Sequence, residues 1–527
     1  MKAFLTSSGH RVTLIAVAVL LSLSAALVAL KLIVITALQG DSAIFFQATE
    51  NVAERGKLTS TLYAHIWAFL QSGITRMSAA QIAAAPLRVP AHGDPNLLRL
   101  HAYFILYPLG LLSKFIPVEV VLQSAFVLAF TGLLASVFAL LVRRGVFWPA
   151  AGMFVLLVAM QPAWSESLLY GQFYPDRLFV LAGFLLLVLA ARAKAGRMSL
   201  LAVALVCAAI NERGALVGGA VLILYTLLNR GRVADPRFKL VLGVGMCVFG
   251  EVMIKFVLTN DAYSQYLPTS FAQLVSILSR PGMSADLGMF ALVNVLLLAV
   301  ACFEWRAALI AFAVMTPNMI GTIGGAEKTG WITHYHSFYF PVLVWAAMNG
   351  FTRLYRIAGS KGTLRSFYIG LPMVILLFGT IRPYGGTPPF SFAHLSKTFV
   401  PAFIADVRSY LNPGGLAVTH LGTLVANAVP EGASVTTPEG QMPFLYSKRQ
   451  VYFLPMGIDS VDYAVLSVYG RTGNKIDYGG IINFGGPAQT AAVNAAVLAR
   501  MRRDGYDFAH PVFVPGLSVA ILRRVPR

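Results

Sequence analysis

The sequence predicts a polytopic α-helical membrane protein of about eleven transmembrane helices, with a small extracytoplasmic α/β domain at its C-terminus. Three observations predict it. The 527 residues are 57% hydrophobic with a mean hydropathy of +0.71, too apolar for a soluble globular chain and too long for a single anchor. Basic residues stand in short clusters between apolar runs. Beyond about residue 383 the composition turns ordinary.

The first apolar run, 12–38, follows Lys2 and Arg11. It exceeds the roughly 7–15 residue core of a cleavable signal peptide and so reads as a retained helix. Further runs stand near 119–142, 148–165, 174–192, 198–211, 214–229, 238–258, 286–303, 306–323, 336–351 and 366–381. With the N-terminus cytoplasmic, the loops holding Arg143 and Arg144, Arg192 and Arg197, Arg230 and Lys239, and Arg353 and Arg365 all fall inside. That alternation assigns 1–382 to a transmembrane domain in the cytoplasmic membrane, with a large first outer loop at 39–118, and 383–527 to the extracytoplasmic domain.

In the first loop, "DSAIFFQATENVAERG" reads as an interfacial helix. Ile44, Phe45, Ala48 and Val52 share one face, Gln47, Glu50, Asn51 and Glu54 the other, and Gly56 ends it. "TSTLYAHIWAFL" is a second amphipathic stretch. "RLHAYFILYPLGLLSKFIP" reads as re-entrant or juxtamembrane, because counting it as a span would place Arg143 and Arg144 outside. In the tail, "GASVTTP", "RQVYFLPM", "DYAVLSV" and "LSVAILRR" read as strands, and 396–411 and 487–503 as helices.

The formal charge of +19 is spread over these loop clusters rather than one amphipathic surface, so it reads as a topology signal and no nucleic-acid partner is expected. Cys207, Cys247 and Cys302 lie in or beside apolar runs without metal-ligand spacing. No phosphate-binding Gly-rich loop, nucleophile elbow or His-Glu-x-x-His motif occurs. No D-x-D pair follows Asp41, so no cofactor is called for, although a divalent metal stays open.

Five places carry candidate chemistry. Asp41 reads both as an N-cap, its oxygen accepting an orphan backbone N–H, and as a general base at the outer membrane surface. Lys328, His334 and His336 crowd "GGAEKTGWITHYHSFYFP", which reads either as a phosphate-holding set or as an interfacial belt of aromatic and His residues. Arg99 and His101 could hold the same phosphate. Glu212, in "INERG", reads as a lumenal loop acid paired with Arg213 or as a functional acid, and Asp176, with Arg177 beside it, is similar and stays open between the two.

Several stretches together resemble a bacterial membrane-protein family, domain of unknown function 2079, which looks related to the C-type (polyprenyl-linked) glycosyltransferases. The likeness runs through Asp41, Phe45 and Gln47, then His101, Pro108, Pro117 and Gln123, then Glu212. In the tail it runs through Pro430, Val435, Leu445, Arg449, Tyr452, Pro455, Asp462 and Tyr463. The family often carries a second acid where Phe46 stands and a His where Tyr174 stands. The resemblance implies a C-type-like fold in the bacterial inner membrane. It also implies a transferase that moves a sugar from a polyprenyl-phosphate-linked donor to an unknown envelope acceptor. Asp41 would be the base, with Gln47, Arg99, His101, Lys328, His334 and His336 on the substrates. A lipid or solute transporter, or a non-enzymatic sensor or scaffold, is the alternative.

Overall fold

The structure is a computed structural model. It describes residues 2–33, 40–71, 73–74, 77–88, 96–159, 161, 173–192, 196–258, 268–321, 335–357, 425, 427–438, 441–442, 445–447, 450–472, 475–479, 487–513 and 519–525. The expected elements at 366–381 and 396–411 lie outside these. Two compact units divide the chain. The first comprises 1–29, 98–106 and 122–403, and the second 30–97, 107–121 and 404–527.

The first unit is helical. Helices form where the apolar runs stand: Val118–Arg143, Trp148–Ala159, Phe179–Ala191, Arg197–Ile210, Glu212–Leu228, Pro236–Val252, Met283–Ala301, Trp305–Ile320 and Phe340–Ile357. Their lengths overturn the eleven-span expectation. Trp148–Ala159, Phe179–Ala191 and Arg197–Ile210 have 12, 13 and 14 residues. At 1.5 Å per residue each reaches only about 18–21 Å, short of the roughly 30 Å of a hydrocarbon core. Among the described residues, two helices are long and apolar enough to cross a membrane, Val118–Arg143 and Pro236–Val257. An apolar run is also the mark of a core helix, and Phe340–Ile357 is one: Phe340 to Ala347 are all buried, as are Phe351 and Tyr355. It packs against Phe179–Ala191, Met283–Ala301 and Trp305–Ile320. Other helices keep apolar side chains on the outside: Leu205, Val241, Phe256 and Phe312 are each more than half exposed.

Glycines set the closest helix crossing. Glu212–Leu228 packs along Pro236–Val252, and a Cβ at Gly219 would stand 2.5 Å from the Gly243 carbonyl oxygen and 2.6 Å from the Cys247 sulfur. Backbone lies against backbone there, so nothing larger than glycine fits. Gly219→Leu is therefore expected to lower stability by about 1–3 kcal/mol or more. Thermal melting of the purified chain checks this, and an unchanged melting temperature would refute the close approach.

The second unit holds a six-stranded mixed sheet: β1 Ser434–Thr437, β2 Gln450–Phe453, β3 Tyr463–Thr472, β4 Lys475–Gly479, β5 Val512–Phe513 and β6 Val519–Arg523. The order is β2-β1-β3-β6-β5, with β4 on the distal part of β3. β1 runs parallel to β2 and β3, while β6 runs antiparallel to β3, pairing Val465 with Ile521. Phe69, Ile74, Ile82 and Leu87 from the first loop share one core with Leu454 and Leu466 of the sheet region and with Val493, Val497 and Met501 of the helix Pro487–Arg503. The loop is thus built into the same unit as the tail. Polar contacts fix the join. The Arg500 guanidinium pairs with Asp459 at 2.9 Å and donates to the Ile82 and Ala85 carbonyls, and Asp459 accepts the Leu87 N–H at 2.8 Å.

The helix Gly40–Arg55 differs from its expected interfacial position. Ser42 to Thr49 are all buried, polar and apolar alike, so it is a core helix and not one lying on a surface. It does end at Gly56, whose φ of +67° is the left-handed conformation glycine supplies without steric cost.

Candidate functional site

Four side chains named by the sequence or their neighbours converge in the first unit, at the junction of two helices. Arg197–Ile210 ends and Glu212–Leu228 begins around Asn211, whose extended backbone (φ −169°, ψ 153°) breaks the helix. The Asn211 side-chain oxygen accepts the Arg213 N–H at 2.8 Å, which caps the second helix. Its amide nitrogen donates to Asp176 Oδ1 at 2.7 Å. Asp176 sits in the one-turn 3-10 helix Pro175–Leu178 that leads into Phe179–Ala191.

Glu212 is the first residue of its helix and is fully buried. One oxygen accepts the Ala102 backbone N–H at 2.8 Å, and the other lies 2.7 Å from His101 Nδ1. The 101–106 segment is held in place because Ile105 N–H donates to the Ala209 carbonyl at 2.7 Å. A carboxylate can only accept, so His101 carries its proton on Nδ1 and presents Nε2 as its basic nitrogen. His101 keeps 12% side-chain exposure whereas Glu212 has none, so the imidazole is the outward member of the pair. Tyr103 lies beside it, with ring centroids 5.0 Å apart.

Environment drives the two carboxylates apart. Burial raises the Asp176 pKa to about 6 against the pull of His101 and Arg213, with Glu212 adding to the rise. Burial also works to raise Glu212, but the facing His101 ring with its hydrogen bond, the Ala102 N–H and the Arg213 charge outweigh it and hold the carboxyl below its ordinary range. Glu212 is therefore the fixed anion and Asp176 the group that titrates near neutrality, a separation that marks acid/base sites. The Tyr103 hydroxyl is pushed well up, first by burial and then by Asp176 and Glu212. Arg177, buried over the Phe126 ring at 5.1 Å, is lowered to about 10 by burial.

The other expected residues are placed differently. Glu212 pairs with His101 rather than with Arg213, whose guanidinium lies 5.8 Å from the Tyr335 ring centroid. His336 is buried in the turn Tyr335–Ser337, edge-on to Phe340. Arg99 is exposed. Gln47 lies in the second unit with its amide engaged by the protein: it donates to the Tyr446 carbonyl at 3.0 Å and accepts from Ser60 Oγ at 2.8 Å and from the Leu62 N–H at 3.1 Å. That makes it a cross-link within the unit. Asp41 is the second residue of the helix Gly40–Arg55, inside the first turn rather than preceding it, and its side chain lies outside the described residues. Lys328 and His334 lie outside them too. Among the described residues, no group of three or more His, Cys, Asp or Glu is arranged to hold a metal ion.

Sequence reasoning missed Asn211, Tyr103 and the Ala102 N–H. The signal available was "INERG" itself, a polar triplet between two apolar runs, where an Asn before an acid announces a helix start. In comparisons with known proteins, no family model and no curated protein matches the chain.

Proposed function

We propose that the chain is a glycosyltransferase of the outer face of the bacterial inner membrane, moving a sugar from a polyprenyl-phosphate donor to an envelope acceptor. The observation that supports an enzymatic reading is the His101–Glu212 pair, a buried carboxylate fixing the tautomer of a partly exposed imidazole. The sugar and its lipid carrier rest on the family resemblance. The apolar side chains left exposed on the helices of the first unit support a lipid setting.

In this scheme His101 Nε2 takes the proton of the acceptor hydroxyl as its oxygen bonds to the anomeric carbon. The bond from that carbon to the phosphate oxygen breaks, and the configuration inverts. Arg99, Lys328 and His334 would neutralise the departing polyprenyl phosphate. His336, buried against Phe340, supports the turn. The resemblance favours Asp41 as the base and the His101–Glu212 pair supports His101, and one experiment separates them. Membranes containing wild type, His101→Gln or Asp41→Asn are incubated with a polyprenyl-phosphate carrying a labelled sugar. Wild type is expected to transfer label, and His101→Gln to lose about 10²–10⁴-fold. Loss in Asp41→Asn alone would move the base to Asp41. No transfer by wild type, with labelled lipid crossing the bilayer intact, would replace the reading with a transporter, for which buried ionisable groups are also suited.

A further inference from the structure

The basic loop clusters of the first unit do more than stand at helix ends: they converge on one cavity of about 470 Å³. Arg144 follows Val118–Arg143, and Arg232 follows Glu212–Leu228. Arg306 opens Trp305–Ile320, and Arg353 and Arg356 close Phe340–Ile357; all five line the space together with Glu304. Glu304 pairs with Arg353 at 3.3 Å, so it offsets one of the five guanidiniums. Arg144 is held at 2.8 Å by the neutral Asn349 side chain. Burial, with the Arg356 charge beside it, lowers the Arg144 pKa from its ordinary value.

This cavity is separate from the His101–Glu212 site. Phe126, which packs on Arg177, lies 17 residues before Arg143, the last residue of the same helix and the neighbour of Arg144, or roughly 26 Å away at 1.5 Å per residue. Glu212 opens the helix Glu212–Leu228 and the cavity-lining Asn229 caps its far end, a similar length away, so the two places lie at opposite ends of the unit.

We propose that this cavity binds a diphosphate group. Guanidiniums recognise phosphoryl oxygens through paired, planar hydrogen bonds, and several of them converging from different helices match a doubly charged or more highly charged ligand better than a single carboxylate. The volume falls in the range of small-molecule sites and exceeds what one monatomic ion would fill. Asn229 and Asn349 also stand at the wall, their amide nitrogens donating to the Tyr225 and Trp345 carbonyls at 2.9 and 2.7 Å. Beyond the one charge that Glu304 offsets, the arginines repel one another, and a bound diphosphate turns that cost into attraction. The inference does not depend on the glycosyltransferase reading.

A diphosphate could arrive as a soluble ion or as a lipid headgroup. The full chain in phosphatidylcholine nanodiscs is titrated in one arm with inorganic diphosphate and in the other with farnesyl diphosphate, at matched ionic strength. Variants are Arg232→Gln and Arg356→Gln, both exposed and so compatible with folding; Arg144→Gln is a third, informative only where melting shows it folded. Saturable binding is expected, weakening with salt and falling about tenfold in each exposed variant, the size of one charge-assisted hydrogen bond. Binding in both arms assigns the site to the diphosphate alone, and binding only of farnesyl diphosphate assigns it to a lipid. If wild type binds neither probe, or if the double variant Arg232→Gln, Arg356→Gln binds as wild type does, the proposal is overturned.

Discussion

Glu212→Gln is expected to reduce sugar transfer by about 10²–10⁴-fold while leaving the chain folded. The Gln carbonyl oxygen can still accept the Ala102 N–H that Glu212 now holds at 2.8 Å. What faces His101 Nδ1 is then an NH₂ group, which must donate, and the ring answers by placing its proton on Nε2. The nitrogen meant to act as base becomes a donor, so chemistry fails without collapse. Glu212→Ala makes a different prediction. It strands both the Ala102 N–H and His101 in a buried place and should cost about 3–5 kcal/mol, the penalty for removing one partner of a buried pair. Melting and transfer measured on the same two variants provide the check. Full transfer by Glu212→Gln would mean that the His101 tautomer plays no part, and the pair would then be structural only.

The second large effect concerns Asp176. Its folded pKa of about 6 lies above the ordinary value of 3.8, so the folded chain binds this proton more tightly than the unfolded chain does. Between those two values the folded state holds more protons, and stability falls as pH rises. Above about pH 6 the loss is complete, and it amounts to about 3 kcal/mol at 1.36 kcal/mol per unit of pKa. Asp176→Asn removes the charge but keeps an oxygen to accept from Asn211. It should therefore stabilise the chain at pH 7.5 by up to that amount and do almost nothing at pH 4. Should transfer fall in the same variant, the destabilising carboxylate is retained for function. A gain of equal size at both pH values would show that the carboxylate is not strained by burial.

How much of this was legible can be followed residue by residue. Glu212 and Asp176 stand out in the sequence because acids are rare inside apolar runs, and both prove buried. Their partners did not stand out. Each acid has an arginine as its next residue, and adjacent opposite charges invite a local pairing, whereas Glu212 takes a histidine 111 positions away. Neighbouring residues on a helix point in different directions, so sequence adjacency says little about side-chain contact. Gln47 could not be placed from the sequence either: its position in a family pattern points to a substrate, and nothing in that pattern shows that its amide meets the Tyr446 carbonyl and the Leu62 N–H.

The sequence by itself determined where most helices and strands form, because both answer to local rules: apolar runs for the helices, alternation for β1, β2, β3 and β6, and Gly56 as a stop. It did not determine what the apolar runs face. A run such as Phe179–Ala191 has the same letters whether lipid or protein surrounds it, and only packing shows that Phe179, Phe184 and Leu187 are enclosed and that the helix is too short to span. Nor did it join the first loop to the tail, since Ile82 and Val497 enter one core across more than 400 residues. Tertiary structure likewise decided that arginines scattered as loop charges share one cavity. Local rules act over a few residues, whereas burial, charge pairing and cavities depend on which distant segments meet, and that is settled only when the chain packs.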